Sequence, residues 1–237
     1  MSVPLAASGG STWWFLTRST GAVALVLLTL TVVLGVIDVR RYASTAWPRF
    51  VIDGLHRSVA LTTAVFLALH IVTSVLDSFA PIGLLDAVIP FAGSYRPLWL
   101  GLGAVSFDLI VAVTVTSLVR RRIGHRVWRA VHWFSYASWP VALLHGLGTG
   151  SDVKSGWLLA LSLACLAAVV ASVLVRVLAG RAGPPRARGA ALATTGAFAL
   201  FLALWLPSGP LGSEWARRSG TPRALLPHSS GAKGAGR

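Results

Sequence analysis

Four histidines lie inside apolar stretches of this chain, spaced so that they could hold metal in pairs. His56 and His70 are 14 residues apart in one stretch, and His132 and His145 are 13 apart in another. A helix rises about 1.5 Å per residue, so each pair spans roughly 20 Å along its axis. Two such helices side by side would present one pair of histidines near each face of a bilayer. Each pair could grip a planar metal cofactor from both sides, which points to two stacked haems. Histidines on both axial positions of a haem iron favour electron transfer over oxygen binding. Haem fits the set better than zinc, whose tetrahedral sites draw in further Cys, Asp or Glu ligands. No Cys-x-x-Cys-His occurs, so attachment would be non-covalent, as in b-type haem.

Helices able to carry these residues across a membrane fill most of the chain. Apolar residues make up 55% of it, 12% are charged, and the mean hydropathy is +0.72. Soluble domains carry about 25% charged residues. Apolar runs mark six spans: Ser19 to Ile37 (beginning a turn or two earlier, at Trp13 and Trp14), His56 to Leu76, Leu98 to Val119 with Asp108 inside it, Ala130 to Gly148, Gly156 to Val175 and a short Ala190 to Leu206. Lengths near 20 residues match ~30 Å of hydrocarbon. Alternating segments of ~10 residues, the mark of a membrane β-barrel, are not visible. The expected fold is therefore all-α, a polytopic integral membrane helical bundle of about six transmembrane helices. A short N-terminal segment, 1–12, precedes the haem-binding unit, 13–178. A cytoplasmic loop and sixth helix, 179–206, and a basic tail, 207–237, expected to be poorly ordered beyond Arg218, complete the organisation.

Arginine placement orients the bundle. Arg40, Arg41, Arg49 and Arg57 follow the first span, Arg120, Arg121, Arg122, Arg126 and Arg129 the third, and Arg176, Arg181, Arg186 and Arg188 the fifth. The loops opposite hold Arg96 and Lys154 beside Asp77, Asp86 and Asp152. The positive-inside rule puts the arginine-rich loops in the cytoplasm and both termini outside, in a multi-pass protein of a bacterial plasma membrane. The net charge of +14 is thus topology rather than a nucleic-acid surface. Arg217, Arg218, Arg223, Lys233 and Arg237 dissent, and leave open a re-entrant or interfacial sixth span. The first span lacks a positive n-region and a clean cleavage site, so it reads as a retained helix rather than a signal peptide.

In this topology the second and fourth spans run the same way. His56 and His132 share the inner depth, and His70 and His145 the outer one. Azimuth divides the two helices. Fourteen residues close to within about 40° of whole turns, so His56 and His70 share a face; thirteen miss by about 140°. Pro140, which removes a backbone hydrogen bond, is expected to distort the fourth span near Ser138 to Pro140 and bring both rings round. The alternative to a haem protein is a haem-free permease whose histidines relay protons or bind a transported metal.

The His-x13-His and His-x12-His pairs resemble those of the ferric-reductase-like transmembrane domain of ferric reductases and NADPH oxidases. Residues 120–145, RRRIGHRVWRAVHWFSYASWPVALLH, are similar to its basic loop, tryptophan and ligand helix. TRSTGAVAL, near Thr17 to Leu25, resembles the Arg-x-Thr-Gly opening of bacterial members. The resemblance covers roughly Trp14 to Val175. It implies two b haems, with His56 and His132 as axial ligands of the inner one and His70 and His145 of the outer one. The larger enzymes continue into a flavin and NADPH module. No Gly-rich dinucleotide fingerprint follows a strand here, so no flavin or NAD(P) site is expected. Electrons would come from membrane quinol or a separate flavoprotein and leave to an external acceptor or reductase subunit. The chain would then be the membrane haem subunit of an oxidoreductase rather than a complete enzyme. In size it is similar to the haem subunit of the bacterial periplasmic methionine-sulfoxide reductase system.

Other residues carry two readings each. Arg57, Arg126 and Arg129 could pair with inner haem propionates, though as positive-inside residues they need no such role, and Arg18 could serve the outer haem similarly. Asp108, in mid-span, either handles protons or a quinol or hydrogen-bonds to a Ser or Thr. Trp99, Trp128, Trp133, Trp139 and Trp157 read as interfacial anchors. Cys165 reads as a small core residue, and His125 and His228 as solvated.

Overall fold

A computed structural model describes residues 12–36, 49–150, 153–178 and 184–226. Residues 1–11, Arg40, Arg41, Asp152, Arg181, His228, Lys233 and Arg237 lie outside that set. Ten α-helices are described: α1 (Thr12–Val36), α2 (Arg49–Leu76), α3 (Leu84–Val88), α4 (Pro97–Leu118), α5 (Arg120–Ile123), α6 (His125–His132), α7 (Ser135–Thr149), α8 (Trp157–Leu178), α9 (Pro185–Ser208) and α10 (Trp215–Arg218). Of these, α1, α2, α4, α8 and α9 are long and apolar enough to cross a bilayer. The described residues contain no strand, and the fold is a helical membrane bundle. Hydrocarbon offers no hydrogen-bond partners, so every polar group must be satisfied within the helices. The hydroxyls of Thr29, Thr31 and Thr63 accordingly donate to the carbonyls of Leu25, Leu27 and Val59, one turn back, at 2.7–2.9 Å.

The helices pack as antiparallel pairs, α1 beside α2 and α4 beside α7, with α8 against α1 and α9 against α8. The core lies where α7 meets the others. Trp139, Leu143 and Leu147 pack with Leu28 of α1, Cys165 of α8, and Leu202 and Leu206 of α9. Trp139 is a correction to the interfacial reading: it is 3% exposed, and its Nε1 donates to Thr29 Oγ1 at 2.8 Å. That bond lets an indole N–H sit in mid-bundle without an unsatisfied donor. Trp133 and Trp157 are exposed, as interfacial residues would be, and Cys165 is in the core.

The fourth span also departs from expectation. It is not one helix bent near Pro140 but two, α6 and α7, divided at Trp133–Phe134. Tight i→i+3 bonds mark the division, Phe134 N–H to Val131 O (2.9 Å), Tyr136 to Trp133 (3.1 Å) and Ala137 to Phe134 (3.0 Å). Because α7 starts at Ser135, Pro140 falls in its second turn and forfeits only the bond to the Tyr136 carbonyl.

The sixth span is longer than expected. Pro185 occupies the first position of α9, where a missing N–H costs nothing, and the helix continues to Ser208. Near its far end Trp205 stacks on Trp99, ring centroids 4.9 Å apart. The helix is long and apolar enough to cross a bilayer. Beyond it the described residues, up to Leu226, fold back onto the bundle, and the rest of the expected disordered tail lies outside the described residues. Trp215 Nε1 donates to the Gly148 carbonyl at 3.1 Å, and the Arg96 backbone N–H donates to the Gly220 carbonyl at 3.0 Å. These contacts put residues 215–221 at the end of the bundle that carries His70 and His145.

Candidate cofactor site

Antiparallel packing of α1 on α2 and of α4 on α7 sets α2 and α7 facing each other in the same direction. His56 of α2 lies opposite His132 of α6, ring centroids 6.5 Å apart and planes at 59°. His70 of α2 lies opposite His145 of α7, 6.3 Å apart and at 77°. Neither pair is in contact. A first-row metal–imidazole bond is about 2 Å. Two such bonds in line, plus the reach from each nitrogen to its ring centre, come to about 6 to 6.5 Å. Each gap is thus sized for one metal atom held from both sides. Among the described residues no group of three or more His, Cys, Asp or Glu side chains is placed to hold a metal ion. A closed zinc site needs four ligands, so the pairs fit a haem better than a free ion.

The outer pair is held firmly. His70 Nδ1–H donates to the Thr17 carbonyl at 2.9 Å and His145 Nδ1–H to the Trp99 carbonyl at 2.8 Å. A bond at Nδ1 fixes the tautomer and leaves Nε2 free as a ligand. Both rings border a cavity of about 260 Å³, enclosed largely by apolar side chains including Ala104, Phe107 and Ile110. The Thr17 hydroxyl is buried beside it with no partner among the described residues. The inner pair is looser. Nδ1 of His56 and of His132 is buried without a hydrogen bond, and the Thr31 backbone beside His56 does not meet bonding geometry. Trp128 stacks on the His132 ring at 4.9 Å while its Nε1 donates to Ser117 Oγ at 3.2 Å. That contact, rather than interfacial anchoring, describes Trp128.

The arginines named from sequence divide by end. Arg18 borders the outer cavity, with its guanidinium 3.4 Å over the Trp14 ring. Arg57, Arg126 and Arg129 are exposed at the end with His56 and His132. His125 is exposed, its ring 5.4 Å from Trp128. Asp108 is exposed on the α4 face opposite Ser106, whose hydroxyl donates to the Ser138 carbonyl of α7. The bond from Ser or Thr offered for Asp108 is not formed among the described residues.

Arg96 is the residue that sequence reasoning passed over. It is 4% exposed, and burial lowers its pKa by desolvation, with Tyr95 opposing. Its guanidinium donates to the carbonyls of Gly148 and Thr149, both at 3.0 Å, and to Thr221 Oγ1 at 2.9 Å. It ties the outer ends of α4, α7 and the tail around the outer pair. The signal available was positional: a lone arginine among acids, directly before Pro97.

A family model described as Ferric reductase like transmembrane component matches residues 20–143, just over half of the chain. No curated protein and no solved structure matches it.

Proposed function

This chain belongs to the ferric reductase-like transmembrane family, and on that premise we propose that it carries electrons across a membrane through two bis-histidine b haems. His56 and His132 hold the inner haem, and His70 and His145 the outer. The observation that carries this reading is the pair of ring separations, 6.5 and 6.3 Å, at opposite ends of one bundle. Haem bound in each gap would supply a one-electron carrier there.

The protein's own contribution is to hold and to shield. The Thr17 and Trp99 carbonyls orient the outer rings. Phe107, Ile110 and Ala142 keep the cavity wall apolar and exclude water. Arg18 is the cation lining that cavity and would pair with a haem propionate, as Arg57, Arg126 and Arg129 would at the inner end. The donor, a membrane quinol or a separate flavoprotein, delivers electrons at the arginine-rich end, which lies in the cytoplasm. The acceptor, or a reductase subunit, takes them at the end carrying Arg96 and the folded-back tail.

A visible spectrum of the purified, haem-reconstituted chain tests the reading. A Soret band and close to two haems per chain are expected. Colourless protein would return the haem-free permease, and one haem per chain would remove one of the two sites.

A further inference from the structure

Both rings of the outer pair sit in seats built to one plan. The Thr17 carbonyl accepts the His70 ring N–H, and Gly21, four residues further along α1, faces the same ring. The Trp99 carbonyl accepts the His145 ring N–H, and Gly103, again four residues on, faces that ring. A helix carbonyl already accepts the N–H of the residue four ahead, and its second lone pair remains available. The side chain of that later residue lies over the turn before it and shields the carbonyl. Glycine removes the shield. A Cβ at Gly21 would stand 2.9 Å from His70 Cε1, and one at Gly103 would stand 2.5 Å from His145 Cε1. Neither distance is tolerable, so each ring occupies space that only glycine leaves.

The α1 sequence repeats this arrangement. Thr31 and Gly35 follow Thr17 and Gly21 by 14 residues, the spacing of His56 and His70 in the antiparallel α2. The second seat is open. A Cβ at Gly35 would lie 3.7 Å from His56 Cε1, an ordinary contact, and His56 Nδ1 has no hydrogen bond. No described glycine faces His132 within contact distance.

We propose that Gly21 and Gly103 are positioning residues for the outer haem, exposing the carbonyls that fix His70 and His145, and that the outer haem is consequently the lower-potential one. The proposal rests on the two-haem reading above. A ligand histidine whose N–H is bound to a carbonyl is the more basic ligand and stabilises ferric iron. The outer site has two such ligands within hydrogen-bond geometry, whereas at the inner site His56 has only a weaker approach to the Thr31 backbone and Nδ1 of His132 has no hydrogen bond.

The test uses the full chain reconstituted with haem. Wild-type protein is measured first, and absence of haem there would defeat the two-haem reading itself. Given two haems, Gly21→Ala and Gly103→Ala should each halve the haem per chain, or keep both haems with the lower midpoint potential raised. Gly35→Ala should keep two haems at wild-type potentials. Gly21→Ala and Gly103→Ala proteins indistinguishable from wild type, or a loss as large with Gly35→Ala, overturn the proposal. So does loss of both haems with helix content intact. A redox titration decides the matter even where a glycine variant fails to fold. Two midpoint potentials are expected, and His70→Ala should remove the lower one. Coincident potentials, or removal of the higher, overturn the proposal.

Discussion

Replacing Arg96 by alanine should release the tail from the outer end of the bundle. The guanidinium makes three hydrogen bonds, to Gly148 O, Thr149 O and Thr221 Oγ1. Two of the acceptors are last-turn carbonyls of α7, which have no partner within the helix and favour a cation. Hydrogen bonds to a charged donor contribute about 1.5–3 kcal/mol each. Only the bond to Thr221 Oγ1 joins the guanidinium to the tail, the other two holding α4 to α7, so about 1.5–3 kcal/mol of tail docking should be lost. The backbone bond from Arg96 N–H to Gly220 O survives the substitution. At about 1.4 kcal/mol per tenfold, the undocked population rises by roughly one to two powers of ten. Trypsin reads that population directly when docking is fast relative to cleavage, because Arg217, Arg218 and Arg223 all lie in the docked segment. The expected result is cleavage after these residues at least about tenfold faster than in wild type, with Arg96→Lys intermediate, since one ammonium cannot span all three acceptors. Cleavage within about threefold of wild type, at fixed protease concentration, would refute the role of Arg96 as the tie.

Three further outcomes follow from the geometry. His132→Ala should leave one haem per chain by pyridine haemochrome, because the two pairs share no ligand; loss of both haems without unfolding would show that the sites are not independent. Asp108→Leu should leave the melting temperature unchanged or raise it, by up to about 3 kcal/mol of stability, since it removes a carboxyl from the outward face of a membrane helix. A fall of several degrees would reveal a partner for Asp108 within the chain. Pro140→Ala should restore one helical bond without moving the division at Trp133–Phe134, so haem content stays at the wild-type value, and loss of either haem would return control of the geometry to the proline.

The spans were legible because hydrocarbon enforces them: a run long enough and uncharged enough to cross must be helical. The depths of His56, His70, His132 and His145 came from the same logic, through the arginines that flank the runs. Trp139, Arg96 and the tail were not legible, for a common reason. Each is settled by a partner distant in sequence, Thr29 for Trp139, and Gly148, Thr149 and Thr221 for Arg96. Composition marked the tail as Gly- and Arg-rich, yet Trp215, packed against Trp99 and Trp205, helps Arg96 to anchor it. The glycine seats occupy a middle position. Gly21 and Gly35 repeat at the histidine spacing, but their meaning depends on the register of α1 against α2.

The division of the fourth span answers the azimuth problem that spacing alone raised. Thirteen residues of ideal helix fall about 140° short of whole turns, which would turn His145 away from the partner of His132. Bonding of the i→i+3 type advances the chain by about 120° per residue instead of about 100°, so each residue wound that way recovers about 20°. The bonds of this type at the division extend from Val131 to Ala137. Roughly six residues so wound recover up to about 120°, most of the deficit, and the turn at Trp133–Phe134 absorbs the remainder. A proline kink bends an axis but adds little twist. Overwinding changes twist, which is the quantity that was short. The two helices therefore reach nearly equal ring separations by different means: α2 through a spacing that closes on an ordinary helix, and the α6–α7 pair through a spacing one residue shorter and a turn wound tighter to compensate.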